Sequence, residues 1–236
     1  MIIFITGSTR GLGNIMAQFL EKKGHTIIYN GRNDSTSYIN YIKGDVRDET
    51  LLKRVVKKHK IDIIINNAAI LKKDSESNAL FDQVDINLYS IMRICKEAQQ
   101  YYHIKKIINI SSGSAVNCPN DITYYGWTKN ALESFTKMIC KQNNKIAYVN
   151  YRIDKSFNTD MVQSYDSNIP TEPSLNIIPC LLMIINEDNS ACNGSTYCLS
   201  RFKLHPKMEK EFKCPGISMN IYKDVREDVT SRESTI

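Results

Sequence analysis

Residues 111 to 129 read SSGSAVNCPNDITYYGWTK: two adjacent hydroxyls, a phenol thirteen residues after the second of them, and an ammonium four residues beyond the phenol. On a helix, positions four apart share a face one turn from each other, so this spacing sets Lys129 against Tyr125. A free phenol titrates near 10 and exchanges protons poorly at neutral pH. A neighbouring ammonium favours the phenolate and lowers that value, which makes Tyr125 a candidate acid/base. Taken alone, the same residues also read as an exposed helix pair behind an ordinary strand end, because a tyrosine four residues ahead of a lysine recurs by coincidence.

The elements that would position such groups alternate along the chain. β-branched runs at residues 2–6, 25–30, 37–42, 61–67, 104–111, 145–151 and 194–200 read as strands. Between them LGNIMAQFLEKK, ETLLKRVVKKH, NLYSIMRICKEAQQYY and KNALESFTKMICKQ space apolar residues three and four apart, as helices laid on a sheet do. A further helix is expected to start near Thr171. Runs such as DIIIN lack alternation and fit strands covered on both faces. The pattern predicts an α/β fold of βαβ units around a parallel sheet. With 236 residues, 42% of them hydrophobic, one domain is expected over residues 1–200, with residues 201–236 a charged, peripheral extension.

The first strand runs into TGSTRGLG, where Thr6 and Gly7 end the strand and Gly11 and Gly13 open the helix. Residues without Cβ at such a turn let a pyrophosphate approach the backbone, and the unpaired N–H groups of the helix start attract its charge. A tight loop is the other reading of the glycines.

Five motifs in order make the chain resemble the short-chain dehydrogenase/reductase family: TGxxxGxG at Thr6 to Gly13, NNAA at Asn66 to Ala69, DIN ending at Asn87, ISS ending at Ser112, and YxxxK from Tyr125 to Lys129. The resemblance implies a doubly wound Rossmann-type fold with a parallel sheet of about seven strands and helices on both faces. It also implies hydride transfer between a nicotinamide dinucleotide and a small carbonyl or secondary alcohol. By the same resemblance Tyr125 is the acid/base, Ser112 holds the substrate oxygen, Lys129 grips the nicotinamide ribose, and Asn87 holds a water that links Lys129 to solvent. The implied cofactor contacts are Gly7, Ser8, Thr9, Arg10, Gly11, Leu12, Gly13, Arg32, Asp45, Val46, Asn67, Ala68, Ala69, Tyr125, Lys129 and Thr159. Family members pair as dimers or tetramers through the helices that correspond to Met92–Tyr101 and Trp127–Gln142, so a homodimer or homotetramer is expected. Where the second strand ends, a diol-binding acid signals NAD and an arginine accommodates the 2′-phosphate of NADP. Here Gly31 takes the acidic position, Arg32 follows it, and Arg10 is a second cation, so NADP is favoured over NAD, with Asp34 the diol ligand if the strand ends later.

Three stretches depart from the family. Only a dozen residues separate Arg32 from Asp45, which leaves a short turn where a helix is usual. Asp154 and Lys155 replace the PG after the sixth strand; they are expected to pair with each other, with an anionic substrate as the alternative partner of Lys155. The segment after Thr159, DMVQSYDSNIP, is short for a lid and points to a small or polar substrate.

Composition removes other classes. A net charge of +6 is modest, and the basic residues of LLKRVVKKHK interleave with Leu and Val as a solvated helix face, without aromatic residues to stack bases, so no nucleic acid is expected. No apolar run is long enough for a membrane span and the opening residues lack a basic leader, so no membrane partner and a cytoplasmic location are expected. Seven scattered cysteines without a CxxC pair read as reduced thiols, and no metal site is expected. A second class stays open: a catalytically silent dinucleotide-binding sensor or scaffold, motivated by Asp154-Lys155 and the charged tail.

Overall fold

Isoleucine and phenylalanine fill β1 (Ile2–Ile5), and successive side chains leave on opposite faces. Ile3 and Ile5 join one apolar cluster with Met16 and Leu20, while Phe4 joins another with Ile28 and Val55. In the computed structural model, which describes residues 1–34, 37–142 and 145–201, β1 is followed by α1 (Gly11–Lys22), β2 (Thr26–Gly31), β3 (Tyr41–Lys43), α2 (Leu51–Lys58), β4 (Ile63–Asn66), α3 (Ala79–Val84), α4 (Ser90–Ala98), β5 (Lys106–Ser112), α5 (Thr123–Ile139), β6 (Ala147–Ile153), α6 (Asp160–Tyr165), α7 (Ile178–Asn186), α8 (Asn189–Cys192) and β7 (Thr196–Cys198). The strands form one parallel sheet in the order β3-β2-β1-β4-β5-β6-β7, the doubly wound Rossmann-type α/β architecture expected. The order reverses direction between β1 and β4, and in open α/β sheets the crevice at that switch point is where ligands bind. One face is packed by α1 and α7, the other by α2, α4 and α5.

Several elements differ from their expected bounds. The third strand is three residues long, because Tyr38 leaves the strand path to stack on Tyr29 with ring centroids 4.1 Å apart. Among the described residues no helix joins β2 to β3; Tyr29, Tyr38 and Tyr41 pack in its place. The helix expected near Thr171 begins at Ile178, after a 3-10 turn over Ser174–Ile177, with Pro179 in its first turn, where a missing N–H costs nothing. The third helical region starts earlier than the sequence indicates: α3 and α4 are one rod joined by a π-helical turn, Asp85–Tyr89. The last strand is confined to Thr196–Cys198. On α2, Leu51, Leu52 and Val55 are buried while Lys53, Lys57 and Lys58 face solvent, as the spacing predicts. Past Arg201, the extension read from the sequence lies outside the described residues.

Candidate active site

The glycine turn is built by side chains from three strands. Thr6 Oγ1 accepts the backbone N–H groups of Asn67 and Ala68, both at 3.0 Å, and Asn67 Nδ2 donates back to the carbonyls of Thr6 (3.0 Å) and Gly7 (3.1 Å). The TGxxxGxG and NNAA motifs are therefore one hydrogen-bonded corner. Ser8 hydroxyl donates to the Ile5 carbonyl at 2.9 Å and accepts the Asn30 N–H at 2.9 Å, and Asn30 in turn donates to the carbonyls of Ile42 and Gly44 at 3.0 Å. Gly7 sits at φ +63° and Gly11 at φ +56°, left-handed positions that favour glycine. A Cβ on Gly13 would lie 2.4 Å from Asn67 Nδ2 and 2.5 Å from the Gly7 carbonyl oxygen. Gly13→Ala is accordingly expected to lose about 1–3 kcal/mol of stability in urea unfolding, the usual result of forcing an extra carbon into a packed site; an unchanged midpoint would show that the corner is loose.

The first turn of α1 has no side-chain cap and no acidic residue, and Leu12 lies beside Gly11 at its mouth. Its N–H groups are unshared donors at the positive end of a twelve-residue helix, a cradle that suits a pyrophosphate. The residues present thus fit a dinucleotide.

At the carboxyl end of β5, Ser112, Tyr125 and Lys129 come together. Ser112 Oγ accepts the Ser114 N–H at 3.2 Å and lies near enough to the Tyr125 phenol to act on its charge. Tyr125 and Lys129 share a face of α5, and Lys129 Nζ is 5.8 Å from the Tyr125 ring centroid. The electrostatics differ from the sequence expectation of a lowered phenol. Burial pushes the Tyr125 pKa up, and Ser112 opposes this only in part. The ammonium of Lys129 is itself buried and donates to the Ile110 carbonyl at 2.9 Å; desolvation brings its pKa down to about 8, against an upward pull from Glu133. Asn87 is buried in the π-helical turn, its side chain exchanging two 2.8 Å hydrogen bonds with the backbone of Ile70. Such turns inside helices are frequent at functional sites.

A network missed from the sequence supports this end. Glu133, one turn past Lys129 on α5, accepts the Ser111 hydroxyl at 2.6 Å and two bonds from the Arg152 guanidinium at 2.9 and 2.5 Å. The signal was the i, i+4 spacing from Lys129; its partner on β6 had none.

Toward β2 and β3, Asp45 is engaged by Arg47 through bonds of 3.0 and 2.9 Å, and that guanidinium holds its carboxyl below the usual range. Val46 is buried beside it. Asp34 pairs with Lys43 at 2.7 Å, Arg10 with Asp160 at 3.3 Å on the surface, and Arg32 is exposed, close enough to Asp45 to act on its charge. A Cβ on Gly31 would meet Thr9 Cγ2 at 2.7 Å, Thr9 Oγ1 at 2.9 Å and the Tyr41 hydroxyl at 3.0 Å. A side chain at the usual position of the diol-binding acid would force Thr9 and Tyr41 to shift.

At the other end Thr159 caps α6, its hydroxyl accepting the Val162 N–H at 3.4 Å, and its Cγ2 would lie 3.8 Å from a Cβ on Gly11. Ala69 is half-buried past the β4 corner. The expected Asp154–Lys155 pair does not form. Lys155 reaches Glu172 at 3.3 Å, while Asp154 accepts the Ser200 N–H (2.9 Å), the Ser200 hydroxyl and the Cys198 thiol (3.0 Å). Residues adjacent at a strand end leave on opposite sides, which separates the two charges.

Among the described residues no group of three or more His, Cys, Asp or Glu could hold a metal ion, and no helix is long and apolar enough to cross a membrane. The chain is 28% identical over 154 residues to a 3-ketodihydrosphingosine reductase of Bacteroides thetaiotaomicron, an alignment covering 58% of this chain and 56% of that protein. The chain thus spans little more than half the length of that relative. Among solved structures, it superposes on a 4-hydroxyisoleucine dehydrogenase mutant complexed with NADH and succinate with a TM-score of 0.74 at 19% identity, covering 84% of this chain and 96% of the other. A short chain dehydrogenase from Burkholderia cenocepacia in complex with NADP superposes with a TM-score of 0.69 at 16% identity, covering 83% and 94%. At such identities the superpositions speak for the fold. The family model described as short chain dehydrogenase matches residues 1–169. Since that match runs from the first strand past α6, through both the glycine turn and α5, this chain belongs to the short-chain dehydrogenase family.

Proposed function

We propose that the protein is an NADP(H)-dependent oxidoreductase that interconverts a small carbonyl and a secondary alcohol, with Tyr125 as acid/base. The convergence of Ser112, Tyr125 and Lys129 at the carboxyl end of β5 carries the reading. The dinucleotide, when bound, supplies or accepts the hydride. Its phosphates would be held by the N–H groups at the start of α1, its adenosine end by Arg32, Asp45 and Val46, and its nicotinamide end by Lys129 and Thr159. Ser112 donates to the substrate oxygen and steadies the charge that grows there. Tyr125 gives that oxygen its proton in reduction and takes it in oxidation. Lys129, a buried ammonium beside the phenol, favours the phenolate in the step that leaves the proton with substrate. Because the Asn87 side chain is committed to Ile70, its part in proton supply runs through the main chain of the π-helical turn.

Two features favour NADP: the crowding around Gly31, which disfavours an acid there, and exposed Arg32 directly after it. A planar guanidinium suits a 2′-phosphate. Arg32→Ala is expected to weaken NADPH binding about tenfold, equivalent to about 1.4 kcal/mol, while leaving NADH within twofold. Fluorescence titration with both dinucleotides reads this, and equal weakening of the two would remove Arg32 from phosphate recognition. The reductase reading itself is tested by absorbance of the reduced nicotinamide against a panel of small carbonyls, with NADPH and NADH compared; binding without turnover by any carbonyl would leave a silent dinucleotide-binding protein.

The same proposal assigns cofactor and catalytic sites to residues 1–200, leaves 201–236 as a peripheral extension, and places the protein in the cytoplasm, where the six free cysteines of the described residues would stay reduced. It also pairs copies into a homodimer or homotetramer through α4 and α5. Cys95 belongs to the core, but Trp127 and Met138 of α5 and Tyr89 at the head of α4 are exposed, leaving apolar surface on that side for a second copy.

A further inference from the structure

Beyond the reacting end of the site, a cavity of about 310 Å³ opens at the carboxyl ends of β5, β6 and β7, lined on one side by Gly113, Val116 and Asn117 and on the other by Arg152, Asp154 and Ser200. That volume is at the lower end of small-molecule sites. It adjoins the catalytic groups, because Gly113 directly follows Ser112, and a Cβ on Gly113 would lie 3.0 Å from Asp154 Cα. The charges of the cavity do not cancel locally. Arg152 is committed to Glu133 through two bonds, and Lys155 is drawn to Glu172. Asp154 is held by neutral donors alone among its hydrogen bonds: the N–H and hydroxyl of Ser200 and the thiol of Cys198. Among the described side chains, which end at Ser200, no cation forms an ion pair with it. A carboxylate offers about four acceptor sites, so the three bonds fix its orientation while leaving one site and its negative charge to a ligand.

We propose that this cavity receives the distal end of the substrate and that Asp154 makes the enzyme select carbonyl or alcohol substrates bearing a protonated amine, rejecting those that end in a carboxylate or phosphate. The inference rests on the oxidoreductase reading for the location of the reacting carbon. In a half-enclosed cavity an opposite charge is attracted and a like charge repelled more strongly than in open water, so one fixed carboxylate is enough to sort ligands by sign.

Three ketones of similar size test it with the full chain and NADPH: aminoacetone, hydroxyacetone and acetoacetate. The wild type is expected to show kcat/KM at least tenfold higher for aminoacetone than for acetoacetate. Asp154→Asn should cut that ratio at least fivefold with hydroxyacetone changed less than twofold, while Ser200→Ala, which keeps the carboxylate, should keep the ratio. A wild type that uses acetoacetate as well as aminoacetone, or a ratio untouched by Asp154→Asn, overturns the assignment. Calorimetric titration of the same three ketones reads binding without turnover. Preferential aminoacetone binding that Asp154→Asn abolishes supports the assignment even if no ketone is reduced, in which case the catalytic reading alone has failed. Equal binding of aminoacetone and acetoacetate by the wild type sinks the assignment whatever the enzyme reduces.

Discussion

Tyr125→Phe is expected to lower kcat by about 10²- to 10⁴-fold, the span that a positioned acid/base contributes, with NADPH binding within twofold of wild type. The substitution deletes one oxygen from a ring that is 7% exposed and keeps the ring itself, so packing survives. Because burial raises the phenol while Ser112 lowers it, the proton is retained in the resting site and is available for donation to a substrate oxygen. Single-turnover absorbance measurements, with a thermal unfolding curve beside them, separate chemistry from folding. A mutant that turns over within threefold of wild type would take the proton transfer away from Tyr125.

Glu133→Ala should be the most damaging single change to stability outside the apolar core. Glu133 and Arg152 are 7% and 16% exposed at their side chains, and the carboxylate also accepts the Ser111 hydroxyl. Removing it strands a guanidinium in a site shaped for an ion pair, a loss of about 3–5 kcal/mol. Urea unfolding measures this directly, and the double change Glu133→Leu with Arg152→Met should recover much of it, since apolar residues of similar size need no partner. The same carboxylate pulls the pKa of Lys129 upward against burial, so without it the ammonium gives up its proton at lower pH. The alkaline fall of activity should move down the pH scale in Glu133→Gln, a variant that keeps the shape. If the alkaline limb stays in place, Glu133 serves only to hold Arg152 and Ser111.

Features that depend on neighbours along the chain were legible in the sequence. The apolar runs of β1 and β4, the glycines between β1 and α1, and the one-turn spacing of Tyr125 and Lys129 each state a local geometry, and each is found where that geometry puts it. Features that depend on what comes from elsewhere were not. The phenol of Tyr125 is governed by burial, which spacing does not report, and so its pKa rises where proximity to Lys129 alone implies a fall. Asp154 and Lys155 look like partners because they are adjacent, yet the backbone sends them to Ser200 and Glu172. Crowding at Gly31 comes from Thr9 and Tyr41, on neighbouring segments of the sheet's carboxyl end. The third strand reads as six residues because Tyr38 is β-prone; its ring contributes more by stacking on Tyr29 than by extending the ladder.

The two outermost strands, β3 and β7, are three residues each. An exposed rim of a sheet carries unpaired N–H and C=O groups that invite the backbone of another molecule, and long, flat rims are where proteins begin to aggregate. Here the long strands, β5 and β6, lie inside, and either rim offers an intruding chain only a few ladder bonds before the backbone turns away. One rim ends on Lys43, which places a charge where a stacking neighbour would need an apolar contact. The shortness of the two rim strands thus guards the protein against growing its own sheet.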